Sequence, residues 1–225
     1  TTTSSVSVPG ETTTTTAVAQ GTTTTTVPSA DRRFTDVSPS SPYFDAIQTM
    51  ALLNIVAGYA RPDGTSEFRP NNPLLRAQMA KLVCGAFGLA AAEDSDSSFT
   101  DMGLDNPEDL YPHNYVAAAQ QAGVIQGKSS TRFDPWTNVN RAQMVTMVVR
   151  GAQSLYPGRL QTPPAAYTAS IGNFSSTHYT NMRIAEYNGL LQGVVGFGPG
   201  WDAWAPSYRA EVSQVLYNWR VKAGL

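Results

Sequence analysis

Three arginines close three copies of one nine-residue frame, and this repeated placement makes them the first candidates for ligand binding. The frames run over residues 68–76, 133–141 and 201–209. Each opens with an aromatic residue and closes with Arg76, Arg141 or Arg209. A planar guanidinium donates paired hydrogen bonds to a carboxylate or a phosphate. The frames therefore predict a repeated architecture with anion-binding positions.

The position of each arginine on its helix supports the same chemistry. If the helix after the first frame begins at Asn72, Arg76 lies near the end of its first turn, where backbone N–H groups are unpaired. A cation there is unfavourable by roughly 0.3–1 kcal/mol, because the helix dipole is positive at this end. A bound anion would compensate. The alternative is an arginine that pairs with an acidic residue of a neighbouring unit or stays solvated.

Each frame is positioned by two predicted helices. Residues before the first frame follow the spacing of one helical face, with apolar Ile47, Met50, Ala51 and Ile55 and the polar Asn54. Ser41 and Pro42 suit the start of this helix. Gly58, matched by Gly127 and Gly193, is expected to end it in the left-handed conformation that glycine adopts easily.

A second helix follows each frame after a structured loop. Its predicted starts are Asn72, Thr137 and Ala205, and its buried stripe in the first unit includes Met79, Val83 and Phe87. One helix pair could hardly bury its apolar face alone. We therefore predict an all-α fold of three tandem helix-loop-helix units in a pseudo-threefold bundle. The bundle spans 34–225, with repeats at about 34–90, 99–155 and 174–222.

Residues 1–33 are a threonine-rich segment that cannot build a core. We predict an extended arm or linker, which in an assembly would contact a neighbouring subunit.

Composition argues against several functions. Charged residues are 14% of the chain and the net charge is -2, without a basic run, so nucleic acid is not an expected partner. No apolar stretch approaches the roughly 20 residues of a membrane span. The only histidines, His113 and His178, and the single Cys84 offer little for a catalytic triad, a zinc site or a disulfide. We predict no enzymatic activity, no metal and no cofactor.

The repeated motifs together resemble the S-layer homology (SLH) family. The first unit contributes Phe34-Thr35-Asp36-Val37, Asn54-Ile55-Val56-Ala57-Gly58-Tyr59, Asp63-Gly64-Thr65, Phe68-Arg69-Pro70-Asn71 and Arg76-Ala77-Gln78. The second contributes Phe99-Thr100-Asp101-Met102, Gly123-Val124-Ile125-Gln126-Gly127, Phe133-Asp134-Pro135 and Asn140-Arg141-Ala142-Gln143. The third retains Phe174, Gly189-Leu190-Leu191-Gln192-Gly193 and Tyr208-Arg209-Ala210-Glu211, with Ser176 in place of the opening aspartate.

The resemblance implies a pseudo-trimer with grooves between adjacent motifs. It also implies attachment of a secreted protein to the bacterial surface through a secondary cell wall polysaccharide, often pyruvylated, or a peptidoglycan-linked glycan. The motif arginine lies in the groove, at Arg76, Arg141 and Arg209. Leu75, Asn140 and Tyr208 stand where the family has a threonine.

The remaining candidate glycan-binding residues lie in the loops, at Gly58, Tyr59, Asp63, Gly127, Gly193, Trp136 and Trp204. Each tryptophan precedes its arginine by five residues. It either stacks on a sugar ring at the groove or plugs the gap between helices.

Two functions remain in different classes. The first is a carbohydrate-binding anchor at the cell surface. The second is a self-assembling structural subunit of an S-layer or extracellular filament, in which other copies of the chain are the partners.

Overall fold

The computed structural model describes residues 33–92, 96–103 and 111–225, and within these ranges the chain is mostly helical. The described part contains six helices and one two-stranded sheet, in the order α1 (Phe44–Leu52), β1 (Tyr59–Ala60), β2 (Ser66–Glu67), α2 (Arg76–Phe87), α3 (His113–Gln121), α4 (Arg141–Leu155), α5 (Tyr179–Tyr187) and α6 (Arg209–Ala223). The strands are antiparallel, with Tyr59 opposite Glu67. This hairpin departs from the all-α prediction. Residues 1–32 of the predicted arm lie outside the described ranges.

The first helix of each unit ends earlier than predicted. The left-handed residue after each helix is Asn54, Gly123 or Gly189, with φ of 55°, 71° and 77°. Each lies four residues before the glycine that we expected to end the helix. Gly193 also has a positive φ, of 75°, but α5 has already ended at Tyr187.

Gly58 and Gly127 are required by close packing instead. A Cβ atom at Gly58 would lie 2.4 Å from Cε1 of Phe34, and one at Gly127 would lie 2.3 Å from Cε1 of Phe99. Such distances are far shorter than a carbon–carbon contact of about 3.5–4.0 Å. The prediction that these two glycines end helices is therefore wrong, although the positions do demand glycine.

The second helices begin later than predicted, and each begins at its arginine. The residue before the arginine has an extended backbone, with ψ of 153°, 166° and 153° at Leu75, Asn140 and Tyr208. These residues and their neighbours form single antiparallel bridges between units, which pair Pro73 with Tyr208, Leu75 with Asn138, and Asn140 with Pro206. Pairing with another unit keeps this part of each frame extended.

The bridges close into a ring of backbone hydrogen bonds among the three units. The N–H of Leu74 donates to the carbonyl of Ser207 at 3.0 Å, and Ser207 donates to Val139 at 2.9 Å. Val139 donates back to Leu74 at 2.9 Å. All three residues are buried, so each bond satisfies polar groups that would otherwise lose their contact with water.

The core forms where the helices meet. The three longest helices α2, α4 and α6 contact one another, while α1 packs on α6, α3 on α2 and α5 on α4. The buried stripe predicted for the first unit is confirmed at Met79, Val83 and Phe87, and the second helices of the other units bury Met144, Met147, Val148, Val212, Val215, Leu216 and Trp219. Burying one such side chain stabilises a fold by roughly 1.5–3 kcal/mol. Each first helix thus depends on a second helix from another unit.

Candidate ligand clefts between the repeats

Two aspartates hold the frames in position. Asp36 accepts the backbone N–H groups of Phe68 and Arg69, both at 2.7 Å. Asp101 accepts the corresponding groups of Phe133 and Asp134, at 2.9 and 2.7 Å. Both aspartates belong to the repeated motifs, but their structural role was not predicted. The signal was present, because both follow a Phe-Thr pair and precede the frame aromatic by 32 residues.

Each motif arginine lies over the frame aromatic of another unit. The guanidinium carbon of Arg76 is 4.5 Å from the ring centroid of Phe133. The corresponding distances are 4.8 Å from Arg141 to Trp201 and 4.5 Å from Arg209 to Phe68. A cation over an aromatic face is attracted by roughly 0.5–2 kcal/mol, depending on exposure. The three contacts also link the units in a closed cycle, in the direction opposite to that of the donors in the backbone ring.

Arg76 and Arg209 are buried cations, only 3% and 8% exposed. Nε and Nη2 of Arg76 donate to the carbonyls of Phe133 and Gln126, at 2.9 and 3.2 Å. Arg209 repeats this with Phe68 and Ala57, at 2.8 and 2.7 Å. Burial lowers the pKa of both guanidinium groups. Among the described residues no carboxylate forms an ion pair with either arginine.

Arg141 is different, because it pairs with Glu211. Its Nε donates to Glu211 Oε2 at 3.2 Å, its Nη2 donates to the other carboxylate oxygen, and its Nη1 donates to the carbonyl of Asp202 at 3.3 Å. Burial lowers the pKa of Arg141, but the bond and charge of Glu211 outweigh this and raise it. The interpretation of pairing with a neighbouring unit therefore holds for this arginine.

The helix N-termini are not free to bind an anion, contrary to our expectation. The first two backbone N–H groups of each second helix donate to carbonyls of another unit at 2.8–3.0 Å. The pairs are Arg76 to Thr137, Ala77 to Pro135, Arg141 to Ala205, Ala142 to Ala203, Arg209 to Asn72 and Ala210 to Pro70. An anion bound near the arginines therefore cannot use these two N–H groups of each helix.

One cleft of about 190 Å³, here called cleft A, combines several cationic and polar side chains. Its walls include Arg76, Gly127, Gln143, Thr146, Arg150 and His178. Thr146 Oγ1 and His178 Nδ1 share a hydrogen bond of 2.7 Å. Burial, and then the charge of Arg150, lower the pKa of His178. The sequence analysis missed Thr146, Arg150 and His178, since only the fold brings α4 and α5 together here.

Arg150 is a cation of cleft A whose guanidinium lacks a partner among the described residues. It is half-buried, and its pKa is lowered by burial. Within the described ranges its guanidinium has neither a hydrogen bond nor an ion pair. Lys128, another cation of the wall, is already bonded to Asp134. Cleft A therefore presents two guanidinium groups without a carboxylate.

A larger cleft of about 430 Å³, here called cleft B, lies beside Arg141. Its walls include Tyr43, Asn71, Arg141, Val195, Tyr208 and Glu211. The hydroxyl of Tyr43 accepts the N–H of Val195 at 2.9 Å. Since Glu211 already pairs with Arg141, the charge of this wall is internally neutralised.

Trp136 and Trp204 are exposed, at 53% and 51%, so neither plugs a gap between helices. Trp136 packs edge-on against Tyr111, with ring centroids 6.2 Å apart. Trp204 packs edge-on against His178 of cleft A, at 5.7 Å. The frame aromatics, by contrast, lie in the core, at Phe68, Phe133 and Trp201.

The other predicted site residues are dispersed. Gly127 lines cleft A, and the ring of Tyr59 lies 5.1 Å from the guanidinium of Arg209. Asp63 lies at the turn of the hairpin, where the hydroxyl and N–H of Thr65 donate to its carboxylate and lower its pKa. Gly58 lies beside Phe34 and Glu67, and Gly193 lies beside Gln214. Both glycines are outside clefts A and B.

The described residues offer little for catalysis. They contain no group of three or more histidine, cysteine, aspartate or glutamate side chains that could hold a metal ion. Burial raises the pKa of Cys84 to about 12, so its thiol is a weak nucleophile near neutral pH. None of the helices in these ranges has the length and apolar character required to cross a membrane.

Comparison with known proteins assigns these units. The sequence model of the S-layer homology domain matches residues 33–80 and 108–145. The chain carries S-layer homology motifs. Both SLH matches fall on units recognised from the sequence, and the third unit, at about 174–222, remains a prediction.

Similar proteins are bacterial surface proteins and a wall enzyme. A cell surface protein of Thermoanaerobacter kivui is 27% identical over 166 residues, which are 73% of this chain and 20% of that protein. An uncharacterized cell wall amidase of Bacillus anthracis is 35% identical over 171 residues, 76% and 30% of the two chains. An S-layer protein of Bacillus licheniformis is 27% identical over 191 residues, 84% and 20%. The SLH chain thus spans less than a third of the length of these relatives.

Proposed function

We propose that residues 34–225 form one wall-attachment domain, in which three SLH units surround a pseudo-threefold axis. The cyclic order of the backbone ring and of the arginine–aromatic contacts supports this arrangement. The domain binds an anionic, pyruvylated secondary cell wall polysaccharide in clefts between units. The SLH motifs locate the chain at the bacterial cell surface, in agreement with the names of its relatives.

Cleft A carries this proposal. Arg76 and Arg150 line one recess, and neither has a carboxylate partner among the described residues. A buried or half-buried cation is stabilised by an opposite charge close to it. A pyruvate ketal presents a carboxylate on a sugar ring, so it would supply that charge. Trp204, exposed beside His178, offers an apolar face for the ring of the sugar.

The attachment role is non-catalytic. The match to the amidase covers 30% of that protein, so an activity in the rest of it is compatible with a shared attachment segment. We propose that the SLH segment retains its carrier at the wall, whatever the remainder of each protein does.

The experiment is sedimentation of the chain with purified wall sacculi, before and after mild acid removes the secondary polymer. We expect binding to intact walls and its loss after stripping. Arg150→Ala should lower binding to intact walls by about 10- to 150-fold, since a charged hydrogen-bonding contact contributes roughly 1.5–3 kcal/mol. The matched control is Arg159→Ala, which removes an exposed arginine in the segment between the second and third units. Undiminished sedimentation with stripped walls contradicts the proposal.

The S-layer name of a relative favours a second candidate, a self-assembling subunit of an S-layer or filament. In this case residues 1–33 act as an arm that contacts a neighbouring copy. Analytical ultracentrifugation of the full chain and of a variant without residues 1–33 tests it. Assembly that is lost on deletion supports this candidate, and a monomeric full chain at all concentrations rejects it.

A further inference from the structure

One of the three junctions between units differs from the other two at one helix position, two residues after the motif arginine. This position holds Gln78, Gln143 and Glu211. All three side chains accept the backbone N–H of the residue before the helix, from Leu75 at 3.0 Å, Asn140 at 3.3 Å and Tyr208 at 3.2 Å. Their role in capping the start of the helix is therefore the same, and only Glu211 carries a charge.

At one junction this residue also neutralises an arginine. Glu211 of the third unit pairs with Arg141 of the second unit. The corresponding residue for Arg76 is Gln143, which lines cleft A together with it. A neutral amide cannot balance the charge of a guanidinium. Exchange of a carboxylate for an amide thus leaves cleft A cationic and cleft B neutralised.

We propose that this helix position selects which cleft accepts an anionic sugar substituent, so that Gln143 opens cleft A and Glu211 closes cleft B. The inference rests on the proposed function and specifies it. In cleft B the Glu211 carboxylate occupies the guanidinium that a ligand carboxylate would need. In cleft A, Arg76 and Arg150 keep their charge for the ligand, and Thr146 adds a hydroxyl group to the wall.

Gln143→Glu tests the inference directly. The glutamate oxygen can still accept the N–H of Asn140, and a negative charge in the first turn suits the helix dipole. Folding should therefore be preserved, and the melting temperature should be equal to or above that of the natural chain. The added carboxylate should pair with Arg76 and repel the ligand, which weakens binding at least about tenfold.

The assay is isothermal titration calorimetry of the full chain with a methyl hexopyranoside that carries a 4,6-pyruvate ketal. The methyl ester of the same ketal lacks the charge and is the ligand control. Gln153→Glu, an exposed substitution of the same kind in α4, is the protein control and should bind as the natural chain does. Glu211→Gln should add a second binding equivalent by freeing Arg141.

The possible results distinguish a failure of this inference from a failure of the proposed wall-attachment function. If Gln143→Glu binds the ketal as tightly as the natural chain, the inference is wrong, even if walls are still bound. It is also wrong if the natural chain sediments with walls but does not bind the ketal or binds the ester equally well. A chain that binds neither walls nor ketal rejects the proposed function as well. If Glu211→Gln does not fold, Gln143→Glu alone decides.

Discussion

Replacement of Arg76 by alanine should destabilise the fold as well as remove a ligand contact. The side chain is 3% exposed and donates to the carbonyls of Phe133 and Gln126 in the second unit. Alanine leaves both acceptors without this donor, and a buried unsatisfied group costs about 1–3 kcal/mol. The contact of the guanidinium with the Phe133 ring is lost as well, a further contribution of about 1–2 kcal/mol.

Two effects reduce this sum. The variant no longer has to remove a guanidinium from water, and Gln126 lines cleft A, where water can replace the lost donor. We therefore expect a net loss of about 2–4 kcal/mol in the free energy of unfolding. For a domain of this size, 1 kcal/mol corresponds to roughly 2–4 °C, so the melting temperature should fall by about 4–16 °C.

Thermal unfolding followed by circular dichroism measures this fall. Arg159→Ala is the control, since an exposed substitution usually changes stability by less than about 0.5 kcal/mol. Arg76→Lys should give an intermediate value, because an ammonium group cannot reproduce the two-donor geometry of a guanidinium. If Arg76→Ala and Arg159→Ala have the same melting temperature, Arg76 does not stabilise the contact between the first two units. The account of this junction is then refuted.

Two further predictions concern the Arg141–Glu211 pair of cleft B and His178 of cleft A. A double-mutant cycle of Arg141→Ala and Glu211→Gln should give a coupling energy of about 1–3 kcal/mol in chemical denaturation, and additive losses would contradict their ion pair. Because burial lowers the pKa of His178, the unfolded chain binds this proton first as pH falls. Stability should therefore be present above about pH 6.5 and decline as pH falls through the lower folded pKa. His178→Gln should reduce that decline in melting temperature, and an identical pH profile in the variant would contradict it.

The local pattern predicted the repeated helices because their apolar spacing lies within single segments. Met79, Val83 and Phe87 could be assigned to the core without knowing any neighbour. The starts of the second helices could not be found in this way. Asn72 and Pro73 look like a helix start, but this stretch pairs with the third unit and stays extended up to Leu75.

For the site residues, too, local features were predictable from the sequence and contacts with another unit were not. The repeat identified Arg76 and Arg141 as equivalent, and both lie at junctions between units. Their different partners depend on which residue of another unit faces each arginine, and the sequence alone does not supply that information. Glycine is needed at position 58, as predicted, but for a different reason. A Cβ atom there would clash with the ring of Phe34, whereas no helix ends at this residue.

The most direct test is nuclear magnetic resonance of the full SLH chain, titrated with secondary wall polysaccharide fragments released by mild acid. The account predicts that the side-chain Nε–H signals of Arg76 and Arg150 shift with saturation, while that of Arg141 stays fixed by Glu211. Shifts confined to Arg141, or no shifts in any of the three signals, would contradict binding in cleft A.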